Sequence, residues 1–161
     1  MEEIIRVGIA DSKLCKTPDK ITTVGLGSCI GIVLYSATHD LCGMVHIMLP
    51  SSKEIKNNTN RAKFADTGIE DLVKMLDQKG VKKGSLLAKI AGGATMFVFS
   101  SASDFGSVGE RNIKSVKETL AALSIPIVAE DTGADYGRTI IFDNISKKLT
   151  VRCAGKADKV I

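Results

Sequence analysis

Apolar and polar positions alternate along this chain in short blocks, and most of the blocks read as strands. Glu3–Ala10 is β-branched and predicts a first strand, followed by a turn at Lys16-Thr17-Pro18-Asp19-Lys20, where Pro and Asp favour the turn dihedrals. Ile21–Val24 extends again and runs into Gly25-Leu26-Gly27-Ser28-Cys29. Ile30–Tyr35 and Leu41–Leu49 are strongly apolar and flank the polar Ser36-Ala37-Thr38-His39-Asp40, which predicts a hairpin of two buried strands. Pro50–Asn60 is polar and predicts a mobile surface loop.

The period then changes. Ala65, Ile69, Leu72, Val73 and Leu76 recur at helical spacing, so Lys63–Lys79 predicts a helix ending at Gly80. Leu86–Ala91 is another strand, closing in Gly92-Gly93-Ala94. A second helix is expected over Asn112–Leu123, with Asn112 as a candidate cap and Ile113, Val116, Leu120 and Leu123 on one face. Pro126–Glu130 is a strand and Asp131–Gly137 a turn. Arg138–Phe142 and Lys148–Arg152 form a last hairpin. Many strands with two separated helices imply one α+β domain over residues 1–161, a layered sandwich with helices packed on sheet.

Composition narrows the class. Of 161 residues, 44% are apolar and 25% charged, which excludes a disordered chain. Aromatics are only 4%, so the core must be built from aliphatic side chains. Apolar runs such as Ile30–Tyr35 are too short to cross a bilayer, and Met1-Glu2-Glu3 is acidic where a secretory leader would be basic. A cytoplasmic protein with free thiols at Cys15, Cys29, Cys42 and Cys153 is the expectation. Their spacing, with two histidines in all, does not read as a metal site. The net charge of +4 is scattered without interleaved aromatics, which speaks against a nucleic-acid reader and for an acidic protein partner. Gly25-Leu26-Gly27 opens like a dinucleotide fingerprint but is followed by strand-like residues rather than a helix, so no nucleotide cofactor is expected.

The hairpin carries the sharper chemistry. With the four-residue loop Ala37–Asp40, Gly31 stands opposite His46 and Cys29 opposite Met48. Cys29 and His46 then share a face as diagonal neighbours, roughly 7–8 Å apart along the backbone. A loop of odd length would put them on opposite faces. Gly31, lacking a side chain, is expected to leave room for the imidazole. A Cys leaving a glycine-rich loop beside a His fits a nucleophile and its base, with backbone N–H groups near Gly27, Ser28 and Gly93 placed to support the loop or hold an oxyanion.

The blocks Thr23-Val24-Gly25-Leu26-Gly27-Ser28-Cys29 and Val45-His46-Ile47-Met48-Leu49-Pro50 resemble the chemoreceptor glutamine deamidases, the CheD family. So do Lys63-Phe64-Ala65-Asp66-Thr67, Lys89-Ile90-Ala91-Gly92-Gly93-Ala94-Thr95-Met96-Phe97, Gly109-Glu110-Arg111-Asn112 and Glu130-Asp131-Thr132-Gly133 with Gly137-Arg138. Ala134 departs from the family, where a second Gly usually follows. The resemblance implies an α/β/β sandwich with mixed, mostly antiparallel sheets and two main helices. It also implies a catalytic set of Cys29, His46 and Thr23, the last orienting the imidazole. Read from the residues alone, Thr23 is an ordinary strand threonine.

On this likeness the chain is expected to convert receptor glutamines to glutamates through a Cys29 thioester, with no cofactor. The implied partners are the helical bundle of a chemoreceptor's cytoplasmic part, as substrate, and a CheC-type phosphatase. Two other readings stay open, a non-catalytic regulatory module of the chemotaxis pathway and a hydrolase of small amides. Arg111, Asp131 and Arg138 read equally well as structural ion partners and stand outside the catalytic set.

Overall fold

Alternation of side chains along the strands decides how the layers stack. The structure, a computed structural model, describes residues 2–96 and 106–161. Strands β1 (Ile4–Arg6), β2 (Ser12–Lys16), β3 (Lys20–Leu26), β4 (Ile30–Ser36) and β5 (Leu41–Ile47) precede helix α1 (Ala65–Gln78). β6 (Leu86–Gly92), helix α2 (Val108–Ala122), β7 (Ile127–Thr132), β8 (Arg138–Asp143), β9 (Lys148–Arg152) and β10 (Lys159–Val160) follow. One sheet runs β1-β3-β8-β9-β10 and the other β2-β5-β4-β6-β7. β1 with β3 and β6 with β7 are parallel pairs, and the other pairs are antiparallel.

Every residue of β4 is buried, because helices cover one face of its sheet and the second sheet covers the other. In β8 burial alternates, as expected where one face meets the core and the other faces out. Ile30, Ile32, Leu34, Val45 and Ile47 pack with Ile69, Leu72, Leu76, Val116 and Leu120 of the helices. Val33, Met44 and Ala91 pack with Ile21, Ile140, Phe142 and Val151 of the facing sheet. The molecule is thus an α/β/β sandwich, as its sequence led one to expect. Among the described residues no helix is long and apolar enough to cross a membrane.

Three local readings are corrected. The single strand expected over Glu3–Ala10 ends at Arg6, and after a turn with Ala10 at φ 57° the chain crosses to the other sheet as β2. The polar loop after Pro50 is tied down at its start, where the Ser52 N–H and hydroxyl donate to the Asp66 carboxylate at 3.0 and 2.8 Å. Helix α2 begins at Val108 with Ser107 as its cap, whose hydroxyl accepts from the Glu110 N–H at 3.2 Å. Asn112 therefore lies inside the helix.

Candidate active site

The register of the central hairpin sets the geometry. Gly31 pairs with His46 and Ile30 with Ile47, so the even loop holds. Cys29 directly precedes β4 and lies two residues before Gly31. It therefore falls on the side of the sheet that His46 occupies, and both turn toward the facing sheet. His46 is fully buried there, while Cys29 is half-buried at the edge of the inter-sheet core.

Gly31 does not leave the space its sequence position suggested. A Cβ there would come within 2.6 Å of Ile140 Cδ1, so a side chain of the facing sheet already fills the gap. What the glycine provides is close approach of the two sheets. That approach brings Thr23 of β3 against the imidazole, with Oγ1 2.7 Å from Nδ1. The same hydroxyl donates to the Val7 carbonyl at 2.8 Å. A hydroxyl has one hydrogen, so with Val7 receiving it, Thr23 accepts from His46 Nδ1–H. The neutral ring then carries its lone pair on Nε2, which is buried and meets no hydrogen-bond partner among the described residues.

Burial lowers the His46 pKa below the ordinary histidine value, and burial raises that of the Cys29 thiol, an effect tempered by the cysteine's own backbone N–H. Desolvation is the larger influence on the thiol. Both partners rest neutral at pH 7. An acceptor imidazole and a protonated thiol suit proton transfer during attack rather than a standing ion pair.

The loop before Cys29 is held by its backbone. The Gly93 N–H donates to the Cys29 carbonyl and the Ala94 N–H to the Gly27 carbonyl, each at 2.9 Å, and the Gly27 N–H donates to Gly25 O at 3.1 Å. Gly27 and Gly93 are thus engaged in holding the loop. The Ser28 N–H meets no acceptor among the described residues.

Asn112, fully buried, donates from Nδ2 to both Ser28 O and Met48 O at 2.9 Å, joining the cysteine loop to the end of β5. This staple escaped the sequence reading. Its signal was a polar residue sharing a helical face with Val116 and Leu120. Arg138 and Asp131 form an ion pair at 3.3 Å, and Arg111 pairs with Glu54 at 2.7 Å.

The family profile described as CheD chemotactic sensory transduction matches residues 48–153. The chain belongs to the CheD family. A protein of Lachnoclostridium phytofermentans named probable chemoreceptor glutamine deamidase CheD is 57% identical over the whole of both chains. One of the same name from Syntrophomonas wolfei is 50% identical, again over both full lengths. The chemoreceptor glutamine deamidase CheD of Bacillus licheniformis is 53% identical over 150 residues, 92% of this chain and 89% of that one. As a CheD family member this chain has the Thr23–His46 contact within its first 47 residues, outside the profile match but within the full-length similarities.

Proposed function

We propose that this chain is a cysteine-dependent deamidase that hydrolyses glutamine side chains of chemoreceptors to glutamate. The hydrogen bond that leaves His46 Nε2 as the acceptor, on the side of the sheet where Cys29 enters, carries the reading. The names of the full-length relatives supply the substrate. Nε2 takes the Cys29 proton as sulfur attacks the carboxamide carbon. The Ser28 and Cys29 N–H groups receive the oxyanion of the tetrahedral intermediate. The imidazolium returns its proton to nitrogen, the C–N bond breaks, and ammonia leaves a thioester on Cys29. A water that gives its proton to Nε2 then attacks the thioester carbon. The C–S bond breaks, the proton passes to sulfur, and the product is a glutamate. Thr23 keeps Nδ1–H occupied throughout and so fixes the tautomer.

Such an enzyme works on the cytoplasmic part of a receptor, and a CheC-type phosphatase is its proposed regulatory partner.

The test is incubation with a receptor cytoplasmic fragment and peptide mapping by mass spectrometry. Glutamine-to-glutamate conversion is expected with the parent. A loss of about a thousandfold or more is expected for Cys29→Ala and for His46→Ala. Conversion that survives Cys29→Ala would remove the nucleophile. A parent that binds the fragment without converting it would favour the regulatory-module reading.

A further inference from the structure

Strand ends of both sheets meet at the end of the sandwich where Cys29 lies. From the central sheet come the start of β4 and the ends of β5, β6 and β7; from the outer sheet come the end of β3, the start of β8, the end of β9 and the start of β10. The 133–137 turn is bonded into this end, since Gly133 N–H donates to Gly92 O and Thr95 N–H to Ala134 O, both at 2.9 Å. Gly93 and Ala94, between those two bonds, hold the cysteine loop. Tyr136 and Cys29 both pack at the margin of the same inter-sheet core.

Three cations surround the Tyr136 ring. Arg138 Cζ and Lys156 Nζ each stand 4.5 Å from its centroid and Lys159 Nζ 5.9 Å, with Lys159 also 3.4 Å from the phenol oxygen. Among the described residues Asp131 is their one carboxylate, 3.3 Å from the fully buried Arg138 guanidinium and 3.5 Å from Lys159. Lys156 has no carboxylate partner among the described residues. The ring face offsets part of the repulsion among these cations, and it holds two exposed ammonium groups in place at reduced entropic cost. The surplus positive charge stands at the end of the sandwich where Cys29 lies.

We propose that the surface formed by Tyr136, Lys156 and Lys159 receives carboxylates flanking the reacting glutamine, so that the substrate is an acidic polypeptide segment. The inference deepens the deamidase reading and rests on it. A glutamine in a protein arrives with fixed neighbours, and acidic ones would dock here by charge-assisted hydrogen bonds. A single tyrosine crowded by cations offers no open stacking platform of the kind that single-stranded nucleic acid uses.

The experiment measures fluorescence anisotropy of the full chain with two labelled peptides. One carries a glutamine flanked by glutamates, and the other has those glutamates replaced by serines. The parent should bind the acidic peptide at least about tenfold more tightly, and Lys156→Glu and Lys159→Glu should each weaken that binding by about fivefold or more. The serine peptide should respond to neither. Lys83→Glu, an exposed lysine before β6 and so at the opposite end, should change nothing. Equal weakening by Lys83→Glu, no preference for the acidic peptide, or tighter binding of an oligonucleotide of equal charge would each overturn the inference. Ammonia release is followed in parallel. Binding of the acidic peptide without ammonia sinks the deamidase reading alone, whereas ammonia released from both peptides with the same KM sinks only the docking surface.

Discussion

Thr23 has a single hydrogen to give, and Val7 takes it, which makes the threonine an acceptor toward His46. Thr23→Val keeps the shape but leaves both Nδ1 and the Val7 carbonyl unpaired in a dry environment. It is expected to cost about 1–3 kcal/mol of stability and about 10- to 100-fold in kcat/KM. Thr23→Ser should recover most of both, as followed by thermal melts and ammonia release. The pKa directions add a pH signature. With the His46 pKa lowered, the base form persists below the usual histidine midpoint, so deamidation should still hold at that midpoint, about pH 6.5, and fall only below it. With the Cys29 pKa raised, less thiolate exists at neutral pH than on an ordinary cysteine. Its iodoacetamide alkylation should therefore still be climbing above about pH 8.5. A plateau at neutral pH would mean a standing thiolate. The other three thiols are buried, so Cys29 should be labelled first in peptide maps.

At the scale of elements, β6 ends where the cysteine loop is bonded on. Gly92 has φ 118°, and a Cβ on it would meet the Cys29 carbonyl oxygen closer than any real contact allows. The obstacle is backbone rather than a movable side-chain tip. Gly92→Ala should therefore cost more than Gly31→Ala, whose clash is with the tip of Ile140. Stability curves of the two variants in urea would rank them. The strands and the hairpin register were legible because apolar runs and an even polar loop leave few alternatives. Cys29 and His46 followed from that register. Less legible was β2, since Ser12-Lys13-Leu14-Cys15-Lys16 is a polar edge strand with weak alternation. Ser107 went unnoticed as a cap because only its structure shows the hydroxyl reaching Glu110. Thr23 could be tied to His46 only through resemblance, for no local pattern reports a contact between sheets. Asn112 was hidden for the same reason, its two acceptors being remote in sequence.

For the molecule as a whole, the two sheets divide the proposed catalytic set between them. The central sheet supplies Cys29 and His46, and the outer one supplies Thr23, with Val7 just beyond β1. Between them lies a core in which Ile140 occupies the place of a missing Gly31 side chain. Neither sheet alone holds an oriented base. The bond between Thr23 and His46 thus behaves as a seam whose closure registers the assembly of the entire sandwich. Turnover becomes a gauge of folding: urea should abolish deamidation and far-ultraviolet circular dichroism at the same midpoint, as in a two-state transition. Activity lost well before the circular dichroism would mean that the sheets can part while each stays intact.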